Sequence, residues 1–132
     1  MPARTVLVVE DNEQNMELAT YLLEEAGFEV RRATDADQAR RELAQGIPDI
    51  LLMDMNLGGV DGLSLVAELR GNPVHAALPI LALTAHAMRG DRERFLEGGC
   101  DGYLAKPIDV KTFVQDVAAA VAAGRQRSAG GR

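Results

Sequence analysis

Ile50-Leu51-Leu52-Met53, running into Asp54, is an unbroken apolar stretch preceded by Pro48-Asp49. A short apolar run bounded by turn-forming residues reads as a strand covered on both faces, the kind found inside parallel sheets. Thr5–Val9 (TVLVV) upstream and residues 80–83 (ILAL) downstream read the same way. Residues 28–33 (FEVRRA) alternate apolar with polar, which suits an exposed edge strand, and Gly102–Ala105 (GYLA) is a short fifth strand for the other edge. Between the strands lie stretches with helical spacing. Met16, Ala19, Leu22, Leu23 and Ala26 make one stripe, and Leu63, Val66, Ala67 and Leu69 another. The clearest is Val110, Phe113, Val114, Val117, Ala118 and Val121. Helices over 36–44 and 87–97 complete a fivefold β-then-α alternation. With short connections and right-handed crossovers, that alternation predicts a parallel sheet with helices on both faces.

The punctuation agrees. Gly27, Gly46 and Gly98-Gly99 each follow a helical stretch, where left-handed caps are common, and Asp35, Asp61 and Asp109 stand at N-cap positions. With 132 residues, 47% of them hydrophobic, the chain has room for one domain, which we place at 1–124. The basic, small-residue tail 125–132 is expected to be disordered, with Arg125 and Arg127 as a solubilising end. A net charge of −6 argues against a nucleic-acid binder. A single cysteine, Cys100, excludes an internal disulfide and reads as a small buried filler, and Met53, Met55 and Met88 read as packing residues. No apolar run approaches membrane-spanning length, and residues 1–5 lead straight into a strand. A cytoplasmic protein with no membrane insertion and no signal peptide is therefore expected.

The chemistry collects at the strand ends. Glu10 and Asp11 follow the first strand, Asp54 the third, Thr84 the fourth and Lys106 the fifth. In an open α/β sheet, ligands bind outside the carboxyl ends of the strands, so these groups share one rim. Each alone has an ordinary explanation as a helix cap or solvated loop residue. Three carboxylates together repel, by about 4 kcal/mol per pair at 4 Å and an effective dielectric near 20. Such a cluster requires a cation or raised pKa values. Hard oxygen donors without paired histidines or cysteines suit Mg²⁺ better than zinc. Carboxylates, a divalent ion, a lysine and a hydroxyl describe a phosphoryl-transfer site, with Asp54 placed as nucleophile.

From Arg4 to Ala123 the chain resembles the receiver domains of two-component response regulators. The resemblance rests on Glu10-Asp11-Asn12, Asp54, Thr84-Ala85 and Lys106-Pro107-Ile108, each after its own strand. Residues 87–94 (AMRGDRER) and 97–100 (EGGC) point to the single-domain DivK type. The resemblance implies a flavodoxin-like (βα)5 fold with strand order 2-1-3-4-5 and a signalling phosphoacceptor rather than an enzyme. It implies that Asp54 is the acceptor and that Asp11, Asp54 and the Asn56 backbone carbonyl ligate Mg²⁺, with Glu10 acting through water. It further implies that Lys106 pairs with the phosphoryl group, that the Lys106–Pro107 bond is cis, and that Thr84 with Tyr103 forms the switch. His86, two residues past Thr84, falls where the family tunes access of water to the acyl phosphate. The implied partners are a histidine kinase or histidine phosphotransferase and a downstream protein target, a kinase among the candidates. Since only a tail follows the last helix, output through protein contact is expected.

One departure concerns the loop Asp54-Met55-Asn56-Leu57-Gly58-Gly59-Val60-Asp61-Gly62, where the family usually places a proline and this chain has Gly58. Glycine makes that loop more permissive. His75 and His86 are read as surface or loop residues rather than a metal pair. Residues 87–97 fit either a solvated helix or a loosely held, movable one. Three other functions share parts of this pattern. A phosphorelay shuttle or phosphate sink uses the same chemistry. A haloacid-dehalogenase-like phosphatase needs an acid two residues after its nucleophile, where this chain has Asn56. A flavodoxin binding FMN needs phosphate donors in the first loop, where Glu10-Asp11 would repel.

Overall fold

The computed structural model describes residues 4–85 and 90–130, without the side chains of 125–130. The strands are β1 (Thr5–Val9), β2 (Glu29–Ala33), β3 (Ile50–Asp54), β4 (Asn56–Leu57), β5 (Val60–Asp61), β6 (Ile80–Thr84) and β7 (Gly102–Ala105). The helices are α1 (Glu13–Glu25), α2 (Ala36–Gln45), α3 (Gly62–Arg70), α4 (Asp91–Glu97) and α5 (Phe113–Gly130), with a 3-10 turn at Pro73–His75. Five strands form a parallel sheet in the order β2-β1-β3-β6-β7, which is 2-1-3-4-5 among the strands of the main sheet.

Every residue of β3 and β6 is buried, as their continuous apolar runs require. Successive side chains point to opposite faces, and this divides the core into two layers. Leu7, Val9, Leu51, Met53, Ile80 and Ala82 pack with Leu43 of α2, Val66 of α3 and Phe95 of α4. Val6, Val8, Ile50, Leu52, Leu81 and Leu83 pack with Leu23 of α1 and Val117 of α5. The sheet therefore carries three helices on one face and two on the other.

Caps set where the helices start. Asn12 accepts the Asn15 N–H at 2.9 Å ahead of α1, Asp35 the Gln38 N–H at 2.8 Å ahead of α2, and Asp61 the Leu63 N–H at 3.0 Å ahead of α3. Asp109 instead accepts from Lys111 N–H at 2.9 Å and caps the turn leading into α5. Gly27 and Gly99 take the left-handed backbone expected of them, whereas Gly46 is extended and Gly98 helical. Helix α5 continues to Gly130, past the point where a disordered tail is expected, because Ala122, Ala123, Arg125, Gln126 and Arg127 are good helix formers despite their polarity. Helix α4 begins only at Asp91; the earlier part of the expected helix, with His86 and Met88, lies outside the described residues.

The loop after β3 differs from its expected permissiveness. Asn56–Leu57 and Val60–Asp61 pair as an antiparallel hairpin whose two central residues, Gly58 and Gly59, have φ of 56° and 91°. Two positive φ values in a two-residue loop are the signature of a type I′ turn, a conformation closed to proline. Asn56 Oδ1 accepts the Gly59 N–H at 3.2 Å and tightens it. The hairpin then runs into Gly62, whose N–H donates to the Met55 carbonyl at 3.0 Å. A Cβ on Gly62 would collide with the Asp54 carbonyl oxygen and lie 2.8 Å from Met55 Cα. Backbone rather than a pliable side chain is in the way, so Gly62→Ala is expected to cost about 2 kcal/mol by overpacking. Urea denaturation measures it, and an unchanged midpoint would show that this close approach is not needed.

Candidate functional site

All of the main-sheet strands are parallel, so their carboxyl ends share one edge. Strands β1 and β3 are neighbours, which brings Glu10 and Asp54 together. Glu10 is 1% exposed and Asp54 3% exposed, while Asp11 on the rim is open to solvent. One carboxylate oxygen from each of the three lies within 4.8 Å of the others. Lys106, beyond β7, reaches over the end of β6 to place Nζ 2.8 Å from Glu10 Oε1 and 3.1 Å from Asp54 Oδ1. The Lys106–Pro107 bond is cis.

Local hydrogen bonds fix each group. Glu10 Oε2 accepts the Asn12 N–H at 3.1 Å, so the loop that caps α1 also orients this carboxylate. Asp54 Oδ1 accepts the Asn56 N–H at 3.1 Å, and the Met55 N–H donates to the Leu83 carbonyl at 3.0 Å. Thr84, at the end of β6, is buried between the β3 and β7 edges of the site. Around these residues lies a cleft of ≈ 400 Å³.

The electrostatics follow from burial. Desolvation raises the Asp54 carboxyl above its ordinary range, and neighbouring Glu10 adds to the rise, against Asn56 N–H and Lys106. Burial pulls the Lys106 ammonium down, but its contacts with Glu10 and Asp54 outweigh this and hold it above its usual value. Three carboxylates face one ammonium, and all the donors are hard oxygens, so the residues fit a divalent cation of the Mg²⁺ kind. Cys100 is buried with its thiol pushed up to about 11, foremost by desolvation, which agrees with an inert filler.

Glu10, Asp11, Asp54, Asn56, Thr84 and Lys106 all line this one cleft. Tyr103 does not. It pairs in register with Ala82, two residues before Thr84 and on the same face of the sheet, and it lines a separate surface groove with Arg92, Leu96 and Thr112. His75 is buried in the 3-10 turn rather than exposed, and His86 lies outside the described residues. Arg94, Gly59 and Asp61 also line the cleft, and none was read from the sequence as a site residue. The stretch containing Arg94 carries only a weak apolar stripe, so its orientation was not legible.

The sequence matches the response regulator receiver domain over residues 6–118. It is 39% identical over 114 residues to the polar-differentiation response regulator DivK of Brucella anthropi, covering 86% of this chain and 93% of that protein. A response regulator of Chloroflexus aurantiacus superposes with a TM-score of 0.86 at 35% identity, over 92% of this chain and 99% of that one. The chemotaxis response regulator CheY4 of Vibrio cholerae, with a TM-score of 0.85 at 24% identity over 90% of this chain and 99% of that one, shares the fold.

The raised Asp54 carboxyl makes a stability prediction. The folded state holds this proton to higher pH than the unfolded chain does. The associated stability is therefore complete below the ordinary carboxylate range and is lost as pH rises through the raised value. In metal-free buffer, Asp54→Asn is expected to melt above wild type at neutral pH, with the gap closing below about pH 4. Thermal melts across pH measure it; a variant less stable than wild type at pH 7 would contradict the assigned repulsion.

Proposed function

The chain belongs to the response regulator receiver family, and from that premise we propose that Asp54 accepts a phosphoryl group from a histidine kinase or histidine phosphotransferase. The observation that carries this reading is the grip on Asp54: a buried strand-end carboxylate held through Oδ1 by both Lys106 and the Asn56 N–H. With Oδ1 held, Oδ2 is the oxygen that attacks phosphorus. The Oδ2–P bond forms and the P–N bond of the donor phosphohistidine breaks. The electron pair stays on nitrogen, and the proton on the ring's other nitrogen makes the leaving group a neutral imidazole. Lys106 balances the charge that accumulates on the phosphoryl oxygens.

Asp11, Asp54 and the Asn56 backbone carbonyl are the residues that would hold Mg²⁺, with Glu10 acting through water. When bound, the ion supplies charge neutralisation for the phosphoryl oxygens. Glu10 and Asp11 also explain why the protein needs a cation before an anionic donor approaches, since alone they repel it.

Output is read through Thr84 and Tyr103. The Thr84 hydroxyl turns toward the new phosphoryl oxygens, and Tyr103, on the same sheet face one strand over, moves into the space it leaves. That repacks the surface of α4, β7 and α5, and a protein target is expected to read it. A local charge change coupled to a two-state side-chain arrangement is sufficient for such a switch.

Intact-mass analysis after exposure to phosphoramidate and Mg²⁺ tests the acceptor: wild type gains one phosphoryl group and Asp54→Asn gains none. Labelling of that variant to the wild-type level would refute the assignment. Asp11→Ala is expected to weaken Mg²⁺ binding at least tenfold, about 1.4 kcal/mol, by titration. Thr84→Ala is expected to keep Asp54 labelling but lose phosphorylation-dependent affinity for a target protein. Equal gains in affinity by wild type and variant would rule the switch out.

A further inference from the structure

Arg94 projects from α4 into the same cleft as Asp54, Thr84 and Lys106. Its guanidinium carbon lies 5.1 Å from the centroid of the Phe95 ring, and Phe95 is itself only 1% exposed, so the stem of the arginine is steered by a fixed neighbour. The other end of its charge is weakly spent. Its ion pair with Asp91 is 3.6 Å long, with the Arg94 side chain 54% exposed, and pairs of that kind contribute little.

The contrast with other arginines is plain. Arg31 bonds Glu42 and Gly46, Arg40 bonds Asp37 and Glu68, and Arg70 bonds Gly99, His75 and Asp101. Those guanidiniums are committed to holding elements together. Lys106 is committed too, between Glu10 and Asp54. Among the described residues lining the cleft, Arg94 is therefore the cation with capacity to spare, in a place where carboxylates dominate. The start of its helix is also uncapped: α4 begins at Asp91, and Gly90 before it, φ +96°, makes no side-chain capping bond, so a small displacement of that end would break none.

We propose that Arg94 is a phosphoryl-binding residue of this site. This rests on the receiver reading above and extends it. The planar guanidinium fork matches two phosphate oxygens, which an ammonium cannot do, and a phosphoryl dianion is a stronger partner than the single carboxylate of Asp91 at 3.6 Å. Arg94 exchanges Asp91 for the phosphoryl oxygens, first of the incoming donor and then of the aspartyl phosphate. Because it is carried by α4, the exchange draws the start of that helix toward the cleft. Phosphorylation thereby acts on α4 directly, besides acting through Thr84.

The test uses the full chain with phosphoramidate as donor, and beryllium fluoride with Mg²⁺ as a non-covalent phosphoryl mimic. Arg94→Ala is expected to lower both the second-order rate of Asp54 labelling and the affinity for beryllium fluoride by about tenfold. Arg94→Lys should recover part of each, and Asp91→Ala, which frees the guanidinium, should lower neither. Mg²⁺ affinity in Arg94→Ala should stay equal or rise, since a cation near the carboxylates has been removed. If wild type labels on Asp54 while Arg94→Ala labels and binds beryllium fluoride as wild type does, this inference is overturned and the receiver reading stands. A parallel loss of Mg²⁺ affinity would also overturn it, by exposing a general distortion of the site. If wild-type Asp54 takes no label, both readings fall.

Discussion

Two carboxylates buried at the carboxyl ends of the central strands of an apolar sheet are the constraint on which this structure depends. Taking Glu10 and Asp54 out of water costs several kcal/mol each unless the charge is paired. Lys106 meets that requirement for both, from the far side of β6. Adjacent strands are about 4.8 Å apart, so the ammonium must span roughly 10 Å between β7 and β3. A long flexible stem does this, and the small residues Thr84 and Ala85 at the end of β6 leave it room to cross. The strand order is therefore part of the chemistry: with a second strand between β3 and β7, this lysine would not reach.

Pairing with one lysine leaves the cluster short of positive charge, and that shortage makes the site responsive. A group that brings cation or takes up negative charge on Asp54 changes the balance among buried, hydrogen-bonded groups. Around it the structure is unevenly held. The C-terminal side of α4 is clasped by Arg70, whose guanidinium bonds the Gly99 and His75 carbonyls at 2.9 and 2.8 Å and Asp101 at 3.0 Å. Asp101 in turn accepts the Ile80 N–H at 2.8 Å, tying the clasp to the sheet. The opposite end of α4, next to the cleft, has no side-chain cap. The helix is thus clasped beyond its C-terminal end and uncapped at its N-terminal end.

The hairpin after β3 serves the same site from the other side. Gly58 and Gly59 allow a tight reversal, Asn56 closes it through Gly59, and Gly62 lets α3 start directly against the backbone of Asp54 and Met55. A loop that composition alone suggests to be loose is held by backbone pairing, and so the Asn56 carbonyl and the Asp54 carboxylate keep a defined relation.

The main-sheet strands, the alternation with helices and the strand-end location of Glu10, Asp11, Asp54, Thr84 and Lys106 were legible in the amino-acid order. Continuous apolar runs can only be buried on both faces, and polar residues ending such runs must emerge at one rim. The caps at Asp35 and Asp61 are equally local, since each bonds an N–H two or three residues away, and the cap at Asn12, as local as these, emerged only with the structure. What only the tertiary structure decided depends on groups distant in the chain. The Lys106 bridge needs the relative positions of three strands, and the place of Arg94 in the cleft needs the rotation of a helix whose apolar stripe is too weak to set its phase. The order of the hairpin needs the conformations of Gly58 and Gly59 to be chosen by pairing across the turn. Residues near in sequence constrain one another through the backbone, while charges near only in space do so through the dielectric around them, which exists only once the sheet is covered.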